Sequence, residues 1–203
     1  NTKRVAILGF SFRLPGSTRD GFWPDLLSGR NFVSQVASER WAAESFWHPR
    51  KSHPGTSYSF AAGSIGDVSA FDADFFSISP REAAQMDPQQ RLLLELGWEA
   101  LEDAISTSDY SMRVADDLAV IDSSAATGTA TSISANRISY TFDLRGPSMA
   151  VDTACSSSLV AFHLACRSIV SGESTQAIVG GVSLHLHPFG FVAFSKASML
   201  SRR

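Results

Sequence analysis

Compact apolar runs alternating with helically spaced segments predict an α/β layered domain. Three runs carry the strand half of that expectation: Arg4-Val5-Ala6-Ile7-Leu8-Gly9-Phe10, Met149-Ala150-Val151 and Gln176-Ala177-Ile178-Val179-Gly180-Gly181-Val182. Each is short, uncharged inside and bounded by glycine or polar residues, as expected of strands buried on both faces of a sheet. The helical half rests on two longer segments, one beginning at Asp87-Pro88 and one running from the serines after Cys155 to Gly172. With 203 residues, 44% of them hydrophobic and 18% charged, the chain is long enough for one large domain with a substantial core.

In order, the first run leads into a loop at Ser11–Gly16 and then a short helix with Asp20 as N-cap and Gly29 as its stop. Residues 39–66 are rich in Trp, His, Pro, Ser and Gly without sustained periodicity, which suggests an ordered surface excursion pinned by aromatics. Ser79 is placed to cap a helix carrying Pro80 at its first position. In the helix that follows, Leu92, Leu93, Leu96, Trp98, Ala100 and Leu101 form the expected core face, with Arg91, Glu95, Glu99 and Glu102 exposed. The small, polar stretch from Ile105 to Ser134 reads as a long irregular connection, after which Asn136–Tyr140 resumes order.

The densest chemistry lies in Asp152-Thr153-Ala154-Cys155-Ser156-Ser157-Ser158. Its place between a strand and a helix puts Cys155 on a tight turn at a helix start, where Ser156, Ser157 and Ser158 are positioned to cap free N–H groups. A thiol at a helix start is favoured as the thiolate, and the same N–H groups can receive an oxyanion, so Cys155 is the candidate nucleophile. Cys166, in mid-helix among Leu164, Ala165 and Ile169, reads instead as a core residue. His48 and His53, and likewise His185 and His187, lack a third ligand and read as structural or solvated rather than metal-binding.

Composition narrows the function classes further. A net charge of -3 and scattered basic residues give no reason to expect nucleic-acid binding. The two cysteines form neither a disulfide framework nor a zinc spacing, which fits a reducing, cytoplasmic setting. Asp152, His163, Arg167 and Glu173 break up the most apolar region, so no uncharged run of membrane-spanning length is expected. The opening Asn1-Thr2-Lys3-Arg4 has neither an initiating Met nor a secretory cleavage pattern, as expected of part of a longer chain.

The stretches RVAILGFSFRLPG, FWPDLLSGR, DADFFSISPREAAQMDPQQRLLLELGWEALEDA, ANRISYTFDLRGPSMAVDTACSSSLVAFHLACRS and AFSKASMLS together resemble the N-terminal half of a β-ketoacyl synthase domain of a type I polyketide synthase. The resemblance implies a thiolase-like layered αβαβα architecture, with residues 1–203 holding roughly the first of its two related halves and incomplete at the C-terminus. It implies that Cys155 takes an acyl chain from the phosphopantetheine arm of an acyl carrier protein, and that a malonyl-type extender then loses carbon dioxide and attacks the thioester. It also implies that no cofactor is bound directly, the phosphopantetheine being carried by the partner carrier protein. The implied partners are that carrier protein, the acyltransferase domains of the same synthase, acyl and malonyl-type thioesters, and a second copy of the chain in a homodimer. By its place in GFVAFSKASMLS, Phe194 resembles an aromatic gate beside the acyl pocket, the alternative being an ordinary core phenylalanine.

Two departures bear on competence. The family's EAHGTGT-like and NIGH-like histidine motifs are not in this sequence, and none of His48, His53, His163, His185 or His187 matches them. Where the family carries a connection and a strand resembling TGVFVG, Ala104 joins Ile105 directly, so one strand is expected to be missing. The first reading is therefore an acyl-transferring ketosynthase whose isolated chain does not condense, and the second is a non-catalytic remnant or dimerisation module. A hydrolase with a nucleophile elbow is disfavoured by the absence of G-x-S-x-G and of a suitable histidine partner.

Overall fold

The computed structural model describes residues 4–18, 20–100, 106–107 and 125–201. In chain order its elements are α1 (Phe22–Ser28), β1 (Val33–Gln35), β2 (Ala61–Gly63), α2 (Pro80–Gln85), α3 (Pro88–Ala100), β3 (Ser106–Thr107), α4 (Ala125–Thr129), α5 (Thr131–Thr141), α6 (Ser157–Ser171), β4 (Val182–Ser183) and α7 (Phe189–Lys196), with single 3-10 turns at Ala43–Phe46 and Ala154–Ser156. They form two units, Asn1–Phe12 with Val68–Leu184 and Arg13–Asp67 with His185–Arg203.

The first unit is built on α3. Ser79 accepts the N–H of Glu82 at 3.2 Å and Pro80 opens α2, as the sequence predicts. Asp87 then starts α3 by accepting the N–H of Gln89 at 2.8 Å. Leu93 and Leu94 pack with Phe76, Ile78, Met86 and Ile138 in the cluster that holds this unit together. The buried face of α3 differs from the expected one. It comprises Pro88, Gln89, Gln90, Leu93, Leu94 and Gly97, while Trp98 is 56% exposed and meets Phe75 edge-on at 4.8 Å between ring centroids. Gly97 admits the ring of Phe142, which would lie 3.3 Å from an added Cβ. Arg91, expected on the exposed face, is half-buried and donates to the carbonyls of Met86 and Ser69.

A polar network accounts for the buried glutamines. Gln89 Oε1 accepts the N–H of Leu184 at 3.1 Å, and Gln90 Nε2 donates to the carbonyls of Gly128 at 3.0 Å and Thr127 at 3.2 Å. Arg137 on α5 donates from Nε to Gln90 Oε1 at 3.0 Å and from its guanidinium to Glu82 at 2.6 Å. Helices α4 and α5 therefore occupy residues 125–134, where the sequence suggested irregular chain, because their anchors are a glycine backbone and single side chains that periodicity does not register.

The strand expectations are corrected in part. Residues 4–10 form no ladder, leaving Ile7 72% and Leu8 81% exposed, and Met149–Val151 is not a strand. From the run at 176–182 only Val182 enters a strand, β4, which pairs in parallel with β3 so that Ser106 faces Val182 and Thr107 faces Ser183. An apolar run becomes a strand only when a partner takes up its N–H and C=O groups, and the sequence of one run does not state whether that partner exists. The junction of Ala104 with Ile105, where the family's strand is missing from the sequence, lies outside the described residues.

In the second unit, β1 and β2 pair antiparallel with Val33 opposite Gly63 and Gln35 opposite Ala61. Phe60, Phe191 and Val36 form its cluster, and Trp41 packs against both rings at 6.1 and 5.8 Å, which is the aromatic pinning expected for 39–66. Helix α1 ends at Gly29 with a left-handed φ of 65°, as predicted. Its N-cap is Gly21 rather than Asp20, and the Gly21 N–H is taken by Thr18 Oγ1 at 3.1 Å.

Candidate active site

Cys155 sits in the first unit, exposed, in the 3-10 turn Ala154–Ser156 that feeds directly into α6. The residue before it, Ala154, has φ of 57°, a left-handed conformation that side chains other than glycine rarely adopt. Local polar groups hold that turn. Asp152 Oδ1 accepts the N–H of Ala154 at 2.9 Å, and the N–H of Thr153 donates to Ser157 Oγ at 2.9 Å. Ser157 Oγ in turn donates to the carbonyl of Ala154 at 2.6 Å, and Ser156 Oγ to that of Thr153 at 2.9 Å.

These contacts correct the expected role of the serines. No side chain caps the start of α6, because Ser156 and Ser157 turn back onto the preceding carbonyls. The left-handed Ala154 brings those carbonyls within reach, and the helix start is left free of hydroxyl caps. An exposed thiol at the start of a helix is an arrangement suited to covalent acyl transfer, with the thiol as nucleophile and the helix start as oxyanion donor.

Helix α6 ends as predicted at Gly172, whose φ is 86° and whose N–H reaches back to Ile169 and Ser168. Cys166, expected in the core, is half-buried, since Ala161 is the buried residue of this helix. Ala154–Ser171 is, among the described residues, the single run long and apolar enough to cross a membrane by length and composition alone. His163 and Arg167 interrupt it.

Phe194 belongs to the second unit, on α7, and is 47% exposed outside the Phe60–Phe191 cluster. In the same unit His48 and His53 stack with ring centroids 4.1 Å apart, while His185 meets the edge of Phe191 and His187 Nδ1 accepts the N–H of Phe189 at 3.1 Å. Lys196, at the end of α7, donates to the carbonyls of Lys51 and His53. Among the described residues no three His, Cys, Asp or Glu side chains gather as a metal site would require.

Sequence reasoning did not find the hydrogen bonds that attach the Cys155 segment to α5. Ser139 Oγ donates to Ser148 Oγ at 2.8 Å, and Ser148 Oγ donates to Asn136 Oδ1 at 2.8 Å. The spacing of Asn136 and Ser139, three residues apart on a helix, is the signal that places both on one face.

Comparison with known proteins assigns the chain to a family. The family described as beta-ketoacyl synthase, N-terminal domain, matches residues 2–121 and 104–203. One component of the phenolphthiocerol/phthiocerol polyketide synthase of Mycobacterium tuberculosis is 45% identical over 97% of this chain, and another component of that synthase, from Mycobacterium bovis, is 44% identical over 97%. The chain spans 14% and 12% of the length of these two relatives. Among solved structures, a ketosynthase domain of the oxazolomycin synthase of Streptomyces albus JA3453 superposes with a TM-score of 0.86 at 35% identity, covering 97% of this chain and 37% of that one. The ketosynthase from module 6 of the bacillaene synthase of Bacillus subtilis 168 gives a TM-score of 0.81 at 32% identity, covering 97% and 35%. The alignment with the Mycobacterium tuberculosis relative runs over 216 residues, but 97% of 203 residues is about 197, so about 19 positions of that relative have no counterpart here. The two family matches meet over 104–121, beside the Ala104–Ile105 junction.

Proposed function

The chain belongs to the β-ketoacyl synthase family as an N-terminal ketosynthase piece with the thiolase-like layered fold, and from that premise we propose that Cys155 accepts an acyl group from a carrier-protein thioester. The observation that carries this reading is the placement of Cys155, exposed at the head of α6 on the strained turn at Ala154. The thiolate attacks the thioester carbonyl, the charge that develops on oxygen is received at the helix start, and the pantetheine thiolate leaves. The product is an acyl-S-Cys155 intermediate.

In the complete domain this acyl group is the electrophile for a carbanion formed by decarboxylation of a malonyl-type extender. The proposed partners are the acyl carrier protein and acyltransferase domains of one synthase, with a second ketosynthase copy in a homodimer and a cytoplasmic location. The proposed extent is the N-terminal part of one ketosynthase domain over residues 1–203. Phe194 is proposed to line the path of the acyl chain, on its place in GFVAFSKASMLS.

The test is to incubate the purified chain with a short acyl thioester of N-acetylcysteamine and locate the adduct by tandem mass spectrometry. The expected result is acylation at Cys155 that is lost in Cys155→Ala. Acylation confined to Cys166, or equal at the two cysteines, would sink the reading. A non-catalytic remnant is the second reading, favoured by the absence of ladder partners for residues 4–10 among the described residues.

A further inference from the structure

We propose that Ser148 is a positioning residue for Cys155, holding the segment that delivers the thiol against helix α5 through one hydroxyl. The inference rests on Cys155 as the acyl acceptor.

Helix α5 is the fixed reference. It packs on the core through buried Ile138 and Ser134, and Arg137 ties it to Gln90 and Glu82. From the end of α5 the chain turns at Asp143, with φ of 50°, and Leu144 N–H returns to the carbonyl of Ser139 at 2.8 Å. It then runs from Gly146 to Val151 without entering a helix or strand. Among the described residues, those from 146 to 151 form hydrogen bonds only through the side chain of Ser148. That hydroxyl receives a hydrogen from Ser139 and gives its own to Asn136, so both of its functions are used on α5.

Four residues later Asp152 fixes the N–H of Ala154. The turn therefore has two supports, α6 on its far side and the Ser148 clasp on its near side. Ala154 in a left-handed conformation persists only while the flanking chain over-determines it. Freeing the near side lets φ of Ala154 relax, which moves Cys155 relative to the N–H groups of the helix start. A displacement on the order of 1 Å at a reacting group is enough to cost up to about a hundredfold in rate.

The experiment uses the full 203-residue chain and follows acylation of Cys155 by an acyl N-acetylcysteamine thioester over a concentration series. Ser148→Ala is expected to lower the maximal acylation rate about tenfold with an unchanged half-saturating concentration, and Ser148→Thr, which keeps the hydroxyl, to restore it to within about threefold. A structural role alone would not give that rescue together with that split. Ser139→Ala removes one of the two hydrogen bonds and is expected to fall between, and it carries the test if Ser148→Ala loses its helical circular dichroism. Iodoacetamide labelling of Cys155, normalised to Cys166 in the same molecule, separates the two ideas, because it needs no acyl site. Wild-type protein that labels at Cys155 but accepts no acyl group overturns the acyl-acceptor reading, and the labelling ratio then decides the clasp alone. Equal rates in Ser148→Ala, Ser139→Ala and wild type overturn the clasp.

Discussion

Ala154 carries the strain of the site in a single dihedral angle, at φ of 57°. A left-handed conformation costs a non-glycine residue about 1–2 kcal/mol, which is similar to what one or two well-made hydrogen bonds return. The carboxylate of Asp152 and the hydroxyl of Ser157 supply those bonds at 2.9 and 2.6 Å. Ala154→Gly should therefore change stability by less than about 1 kcal/mol, since relief of strain and added chain entropy oppose one another. Ala154→Val should cost more than about 1 kcal/mol, because a β-branched side chain fits this conformation poorly. Urea denaturation of the two variants checks this, and a valine variant as stable as wild type would show that the turn is not strained. The position of Cys155 was legible because strand-like, small and helical residues follow one another in sequence. The direction of the serine hydroxyls was not, since capping and back-bonding use the same residue types and only φ of Ala154 separates them.

At the scale of elements, hydrophobic periodicity found α3 and α6 but missed what binds the helices to each other. Gln89 and Gln90 are buried, and a pattern of apolar residues counts them as solvent-facing. Gly128 is the clearest case. A Cβ there would lie 2.0 Å from the carbonyl oxygen of Gln85, so α4 approaches the end of α2 backbone to backbone. The same glycine carbonyl accepts the N–H of Asp87 at 2.8 Å and Nε2 of Gln90 at 3.0 Å. Gly128→Ala must separate the two segments and break those bonds, for an expected loss of about 2–4 kcal/mol. Gln90→Leu removes the donor to the carbonyls of Thr127 and Gly128, the latter keeping the N–H of Asp87, and the acceptor of Arg137 Nε inside a half-buried network, and should cost about 2–4 kcal/mol as well. Both are read from the midpoint of chemical denaturation at constant slope, and a loss below about 0.5 kcal/mol in either would mean that the network is dispensable. The strands failed for the opposite reason. Residues 4–10 have the composition of a buried strand, but pairing is a property of two segments, and one segment's pattern is silent about the other.

For the whole molecule, the surface left exposed sets the expected behaviour. Leu159, Phe162, Leu164 and Val170 on α6, with Ile7 and Leu8, present apolar area that folded domains usually cover. Association of the complete domain through residues 136–151 should appear by light scattering as a dimer at micromolar concentration, and a monomer alone would count against it.

The chain's chemistry should stop at acylation. Attack of Cys155 on a thioester needs a nucleophile and an oxyanion donor, the two roles proposed above for the turn at Ala154–Ser156 and the helix start that follows it. Carbon–carbon bond formation needs a second set of donors, because loss of carbon dioxide from the extender builds charge on the extender's own thioester oxygen. The resemblance assigns that work to histidines in EAHGTGT-like and NIGH-like motifs, which these 203 residues do not contain. His163 is exposed on α6, His185 and His187 follow β4, and the stacked His48–His53 pair belongs to the second unit, so none stands in those motifs. One such donor is worth about 10² to 10³ in rate, and two that act as a set leave the step near background when both are missing. Incubation with an acyl thioester and a malonyl carrier protein is therefore expected to give acyl-Cys155 without a 3-ketoacyl product. Carbon dioxide release coupled to that product, above the level of a Cys155→Ala control, would show that a group within this chain replaces the histidines.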